Sequence, residues 1–145
     1  MMSNRARADT LERVLRAALV GDRPTLETEL ADDVRVWTPT LSAQSLEEFL
    51  DELDERGSSF SDFELTVSPL DVGGLHACIE WTIEMTHTGR LRLPDATEIG
   101  PSGIRVVVHG TTVAEFLQDR ICSVRQYWDE FDVLDQLPLD GSVED

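Results

Sequence analysis

Residues 103–137, GIRVVVHGTTVAEFLQDRICSVRQYWDEFDVLDQL, decide the fold. Two long β-rich runs flank a polar break at Gln118-Asp119-Arg120, and a short amphipathic segment follows. Val106, Val107, Val108, Thr111, Thr112, Val113 and Phe116 build the first run, while Ile121, Val124, Tyr127 and Trp128 anchor the second. β-Branched and aromatic side chains suit a pleated, half-buried surface, so the pattern predicts a hairpin and then a closing helix. A three-residue loop at the break would set Leu117 opposite Ile121 and Thr112 opposite Gln126. On that register Gly110, Thr112, Ala114, Val124, Gln126 and Trp128 share one face, the expected wall of a pocket.

Upstream lies the cleanest alternation in the chain. Leu75, Ala77, Ile79, Trp81, Ile83, Met85 and His87 fall on one side, and His76, Cys78, Glu80, Thr82, Glu84 and Thr86 on the other. Strict period two predicts a strand with its first set toward the core. Phe63, Leu65 and Val67 predict another strand running up to Pro69, and Asp71-Val72-Gly73-Gly74 predicts the turn between them. The segment 89–103, with Pro94, Gly100 and Pro101, reads as a loop or irregular lid.

Before these strands the period is helical. Asp9 and Glu12 have capping-box form ahead of Leu11, Val14, Leu15, Ala18 and Leu19, and Gly21 suits the end of that helix. Pro24 opens a second, shorter helix through about Leu30, with Leu26 and Leu30 turned inward. Val34, Val36 and Trp37 read as a short strand stopped by Pro39. Ser45 and Glu48 repeat the capping pattern before Leu46, Phe49, Leu50 and Leu53, and Gly57 closes this third helix. Three amphipathic helices gathered ahead of a meander predict an α+β fold: a curved antiparallel sheet forming a cone covered by the N-terminal helices.

The whole chain is read as one domain with an ordered core over about 8–137 and an acidic tail at 138–145. Its 145 residues are 41% hydrophobic, enough for a core, and carry a net charge of −17 from 29 acidic and 12 basic side chains. That field repels phosphate backbones and anionic lipid, which argues against nucleic-acid and membrane partners. No stretch approaches the roughly 20 apolar residues that cross a bilayer, and residues 1–10 are unlike a signal peptide, so the expected location is cytoplasmic. Cys78 and Cys122 read as buried thiols, with a disulfide or a metal pair as the alternative. With no phosphate-binding glycine loop, no His/Cys cluster and no Ser-centred elbow, neither nucleotide, zinc nor acyl-enzyme chemistry is expected, and no cofactor is required.

Thr86-His87-Thr88-Gly89-Arg90-Leu91, the proline-containing loop, His109-Gly110-Thr111-Thr112 and Tyr127-Trp128-Asp129 together resemble the SnoaL-like polyketide cyclase family, within the nuclear-transport-factor-two-like superfamily. The resemblance spans nearly the whole chain through the order and spacing of several short motifs. It implies a curved α+β cone, commonly a homodimer packed through the outer sheet face, whose relatives include cyclases, epoxide hydrolases and ketosteroid-isomerase-type enzymes. In the cyclases and the limonene-epoxide-hydrolase branch an Asp in the last strand does acid–base work. Gln126 stands at the matching position, and a slip of one residue would put Tyr127 there. An amide donates and accepts hydrogen bonds but takes no proton at neutral pH.

These readings define the candidate site. His87 matches the family's histidine and is the candidate acid/base, against a rim histidine bonded to loop backbone. Gln126 and Thr112 are orienting groups, against a polar pair that merely satisfies itself. Trp37, Phe49, Trp81, Met85 and Trp128 are candidate lining for a hydrophobic small molecule, against plain core. Asp129 and His109 fall opposite each other on the outer face, where an interface role outweighs catalysis. Three functions follow: a cofactor-independent cyclase, isomerase or hydratase acting by proton transfer; a carrier or sensor using the same cavity; and an interaction module working through the outer sheet.

Overall fold

The computed structural model describes residues 2–56, 59–93 and 95–138. The expected helix stop at Gly57 and the tail from residue 139 onward lie outside the described residues. Helix α1 spans Asn4–Val20 and is capped by Ser3, whose Oγ accepts from the Ala6 N–H at 3.1 Å. It therefore starts well before the expected cap at Asp9. Gly21, at φ 72°, ends α1 in the left-handed conformation that glycine adopts without steric cost. Asp22 caps α2 (Arg23–Glu29), with Pro24 in its first turn as predicted.

Strand β1 (Leu30–Thr38) ends before Pro39, and β2 (Leu41–Ala43), not anticipated from sequence, folds back on it. At the start of α3 (Leu46–Arg56), the Glu48 N–H donates to Ser45 Oγ at 3.1 Å. The Glu48 carboxylate reaches back to the Gln44 N–H at 3.0 Å, a capping box displaced by one residue. Strand β3 (Phe60–Leu70) runs through Pro69 rather than stopping there. It is the edge of the sheet, where a missing N–H leaves no ladder bond unmade.

Strand β4 (His76–His87) is followed by a two-stranded flap, β5 (Leu91–Arg92) and β6 (Glu98–Ile99). The predicted hairpin is β7 (Arg105–Leu117) and β8 (Arg120–Trp128), and α4 (Glu130–Leu134) follows it. The curved sheet is ordered β2-β1-β8-β7-β4-β3. Its pairings are antiparallel except that β1 lies parallel to β8, so the sheet is mixed where a purely antiparallel one was expected. A meander read from the later strands alone cannot show that the first strand docks beside the last.

Two departures in the hairpin cancel. The turn is the two residues Gln118 and Asp119, both at positive φ, so Leu117 pairs with Arg120 rather than Ile121. Positive φ at both central positions matches the right-handed twist of the flanking strands. Cys122 then bulges out of β8 between the Phe116–Ile121 and Glu115–Ser123 pairs, which restores the expected register of Thr112 opposite Gln126.

The α1 side chains Ala8, Leu11, Val14 and Leu15 are buried, and α1 packs on β4 and β3 while α3 covers β1 and β2. Beyond Trp128 the partner strand of β7 has ended. There the Gln136 side chain bonds both the N–H and the carbonyl of Val107 at 2.9 Å, in the manner of one more strand residue.

Candidate functional site

The middle of the concave wall is built from three neighbouring strands. Thr112 of β7 pairs with Ile79 of β4 and Gln126 of β8, and Gly110 pairs with Trp81 and Trp128. Glycine at 110 is required by close approach. A Cβ built there would stand 2.2 Å from Trp81 Cζ2, so the indole lies over the space that any other side chain would fill. Thus placed, Trp81 Nε1–H donates to Thr112 Oγ1 at 2.9 Å, and Gln126 Nε2–H donates to the same oxygen at 3.2 Å. Thr112 and Trp81 are buried, whereas Gln126 and Trp128 keep partial exposure. The cluster is neutral. It can present the partly exposed Gln126 amide to a ligand's carbonyl or hydroxyl group, with buried Thr112 fixing that amide from behind, but it holds no group that takes up a proton near neutral pH.

His87 does not join this cluster. It stands eight residues along β4 from Ile79, roughly 26 Å of extended strand at about 3.3 Å per residue. His87 and Gln126 are thus held in different hydrogen-bonded groups along the inner face. His87 is fully buried, its ring 5.5 Å from that of Phe60. Its Nδ1 is 2.8 Å from Ser102 Oγ and accepts the Ser102 backbone N–H at 3.3 Å, while Nε2 is buried without a partner. Burial holds the imidazole below its usual pKa, partly opposed by the backbone of Gly89. Ser102 was not singled out from sequence, because a serine between Pro101 and Gly103 has only the signature of a turn.

The other candidates divide. Phe49 is buried in the core and Met85 is half-buried on the inner face beside His87. Trp37 is not lining. It is 45% exposed on the outer face, with its ring tilted against that of Tyr127 at 5.4 Å between centroids. Strand parity explains this correction: Val34 and Val36 are buried, so position 37 faces away. The Asp129–His109 pair also dissolves. Asp129 has left the sheet to cap α4, accepting from the Phe131 N–H at 3.0 Å, and His109 Nδ1 lies 3.0 Å from Thr82 Oγ1.

The cavity expected between helices and sheet is not where the described hollows lie. One, of about 380 Å³, is a surface groove between α1 and β3 lined in part by Arg13, Arg16, Val20, Phe63 and Leu65. The other, of about 430 Å³, lies beside the β7–β8 turn next to Cys122. Neither touches Trp81, Thr112, Gln126 or His87. Side chains including Leu11, Leu26, Phe49, Ile79 and Ile121 belong to the buried core between helices and sheet. The cysteines are both free thiols, and burial, with Glu80 beside Cys78 and Glu115 beside Cys122, raises their pKa values. Among the described residues no group of three or more His, Cys, Asp or Glu is placed to hold a metal, and no helix is long and apolar enough to cross a membrane.

The fold is shared with solved structures. TsrD from Streptomyces laurentii aligns with a TM-score of 0.76 at 21% identity, covering 95% of this chain and 98% of that one. IdmH, a putative polyketide cyclase from Streptomyces antibioticus, aligns with a TM-score of 0.72 at 18% identity over 90% of this chain and 96% of its own. An LEH-like epoxide hydrolase of M. tuberculosis aligns with a TM-score of 0.66 at 20% identity, over 93% and 90%. No curated protein matches the chain in sequence. The family model for SnoaL-like polyketide cyclases matches residues 8–137, which takes in every element from within α1 to the end of α4, and the chain belongs to that family.

Proposed function

We propose that this SnoaL-like protein binds a hydrophobic small molecule bearing a carbonyl or hydroxyl group, holding it at the Gln126–Thr112–Trp81 cluster without transferring a proton. The observation that carries this reading is the neutral hydrogen-bonded cluster at the wall's centre, separated by a long stretch of β4 from the buried imidazole. The ligand would sit at the partly exposed Gln126 and Trp128 rather than in either described hollow, with the Trp128 indole supplying apolar surface beside the amide and buried Trp81 backing it. This is the carrier or sensor function.

A second reading, proton-transfer catalysis with His87 as acid/base, is suggested by the likeness in fold to a putative polyketide cyclase and an LEH-like epoxide hydrolase. Titration of tryptophan fluorescence with an anthraquinone, a steroid 3-ketone and limonene epoxide, with product analysis of each mixture, separates the two. Saturable quenching without product, weakened about tenfold in Gln126→Leu, is the expected result for loss of a hydrogen bond worth about 1.4 kcal/mol. Product that disappears in His87→Ala establishes the catalytic reading and overturns ours. We also propose that two copies pair through the outer sheet face. The exposed Trp37 and Tyr127 lie on the same side as Arg35 and Arg125, and Glu64 and Glu80 lie on the far strands, so the face is complementary to itself.

A further inference from the structure

We propose that His87 is a protonation-sensitive latch: its neutral ring holds Ser102, and with it the segment from β6 onward, against the end of β4, and protonation releases that segment. The latch lies outside the ligand cluster and does not depend on it.

The bonding fixes the state of the ring. The Ile104 N–H donates to Ser102 Oγ at 3.3 Å, which leaves the hydroxyl's own proton free to donate to His87 Nδ1 at 2.8 Å. The Ser102 backbone N–H points at the same nitrogen from 3.3 Å. Nδ1 therefore carries a lone pair with two donors on it, and the ring proton sits on Nε2. A second proton on Nδ1 would face the Ser102 N–H. A hydroxyl can reverse its role, but an amide N–H cannot.

The backbone of Gly89 favours the added charge, but burial outweighs it and no carboxylate among the described residues pairs with the ring. The ring is fully buried against Phe60, and Nε2 already lacks a partner. The ionisable groups on the surrounding elements are otherwise engaged or exposed. Asp62 and Glu64 of β3 pair with Arg105 of β7, and Arg90 pairs with Glu98 across the flap. Arg92 is exposed, and Asp95 is held below the usual carboxylate range by the hydroxyl and N–H of Thr97. Burial accordingly pushes the His87 pKa below 6.5.

Release is local because the backbone next to the latch has bonds that the ring does not control. The Gly103 N–H donates to the His87 carbonyl at 2.8 Å and the His87 N–H to the Ile104 carbonyl at 2.9 Å. Gly103, at φ 72°, is the hinge these bonds hold in place. On its far side Ile99 packs against the core, and loss of the Ser102 bonds frees that contact. The closed state binds fewer protons than the open one. Closure is therefore complete above pH 6.5 and weakens as pH falls through 6.5 toward the lower closed-state pKa, tenfold for each unit between them.

The test is amide hydrogen exchange in the full chain at about pH 7.5 and about pH 5, corrected for intrinsic rates, with the His87 ring titrated by NMR. The amides of residues 98–100 and 102 should lose protection about tenfold in step with the ring, while those of Ile79–Ile83 keep theirs. His87→Gln should abolish the pH step. Ser102→Ala removes one donor from Nδ1, so the ring should titrate closer to 6.5 and the segment should exchange faster already at the higher pH. That variant decides the matter alone if His87→Gln does not fold. Protection of residues 98–100 and 102 that survives protonation of the ring overturns the proposal. So does loss of protection throughout β4 in the same step, or a pH step that persists in His87→Gln.

Discussion

Trp81 and Trp37 sit on opposite faces of one sheet, and sequence reasoning placed both in the same pocket wall. Trp81 is buried across Gly110 with its N–H on Thr112, whereas Trp37 is half in solvent against Tyr127. The difference is one of accommodation. On the inner face a large ring needs a missing side chain beneath it and an acceptor for its N–H. On the outer face it needs neither, because water serves the polar atom. An inner tryptophan in this sheet is thus recognised by the glycine and hydroxyl on the neighbouring strand.

The comparison breaks most severely at Gly110. Gly110→Ala forces Trp81 off its seat, since the new methyl would overlap ring atoms at 2.2 and 2.5 Å. Displacing the indole also strips its bond to Thr112. We expect a loss of about 3 kcal/mol, at the upper end of overpacking penalties, read as a lower urea midpoint at unchanged slope. A cost below about 0.5 kcal/mol would mean the ring has an alternative home and that the glycine is incidental.

How legible this was depends on how local each cause is. The amphipathic helices, the long β4 alternation and the pairing of Thr112 with Gln126 follow from period and register, which are written in consecutive residues. Trp37 was misassigned because its apolar character outweighed its parity, although Val34 and Val36 already claimed the inner side. The register positions of His87 and Gln126 are also readable from sequence, but a shared inner face does not say which hydrogen-bonded group each side chain joins. Three features had no sequential trace: the parallel docking of β1 on β8, the Gln136 bonds to Val107, and Ser102 beneath the imidazole. Each depends on where a distant segment returns, which composition and spacing do not encode.

Thr112→Val tests the hydroxyl without changing the shape. It leaves the Trp81 N–H buried opposite a methyl group and removes the acceptor for Gln126. The expected cost is about 2 kcal/mol, the penalty for an unsatisfied buried donor together with a lost second bond. Thr112→Ser keeps the oxygen and should recover most of that loss, which separates hydrogen bonding from packing of the γ-methyl. Destabilisation by Ser but not by Val would show that the methyl group, rather than the acceptor, holds the inner tryptophan.

The outer tryptophan gives the smallest effect on folding and the sharpest contrast. Trp37→Leu keeps an apolar side chain on β1 and removes only the tilted contact with Tyr127, so dilute protein should lose about 0.5–1 kcal/mol. Association through the proposed outer face should suffer more, because an exposed tryptophan is the kind of side chain that dominates an interface. If two copies meet there, sedimentation equilibrium should show dimer formation weakened about tenfold, equivalent to 1.4 kcal/mol. An association constant unchanged by Trp37→Leu, or a chain that sediments as a monomer before substitution, would remove the outer face from the assembly. The ring against Tyr127 would then be an ordinary surface contact, and the difference between the two tryptophans would reduce to solvent exposure alone.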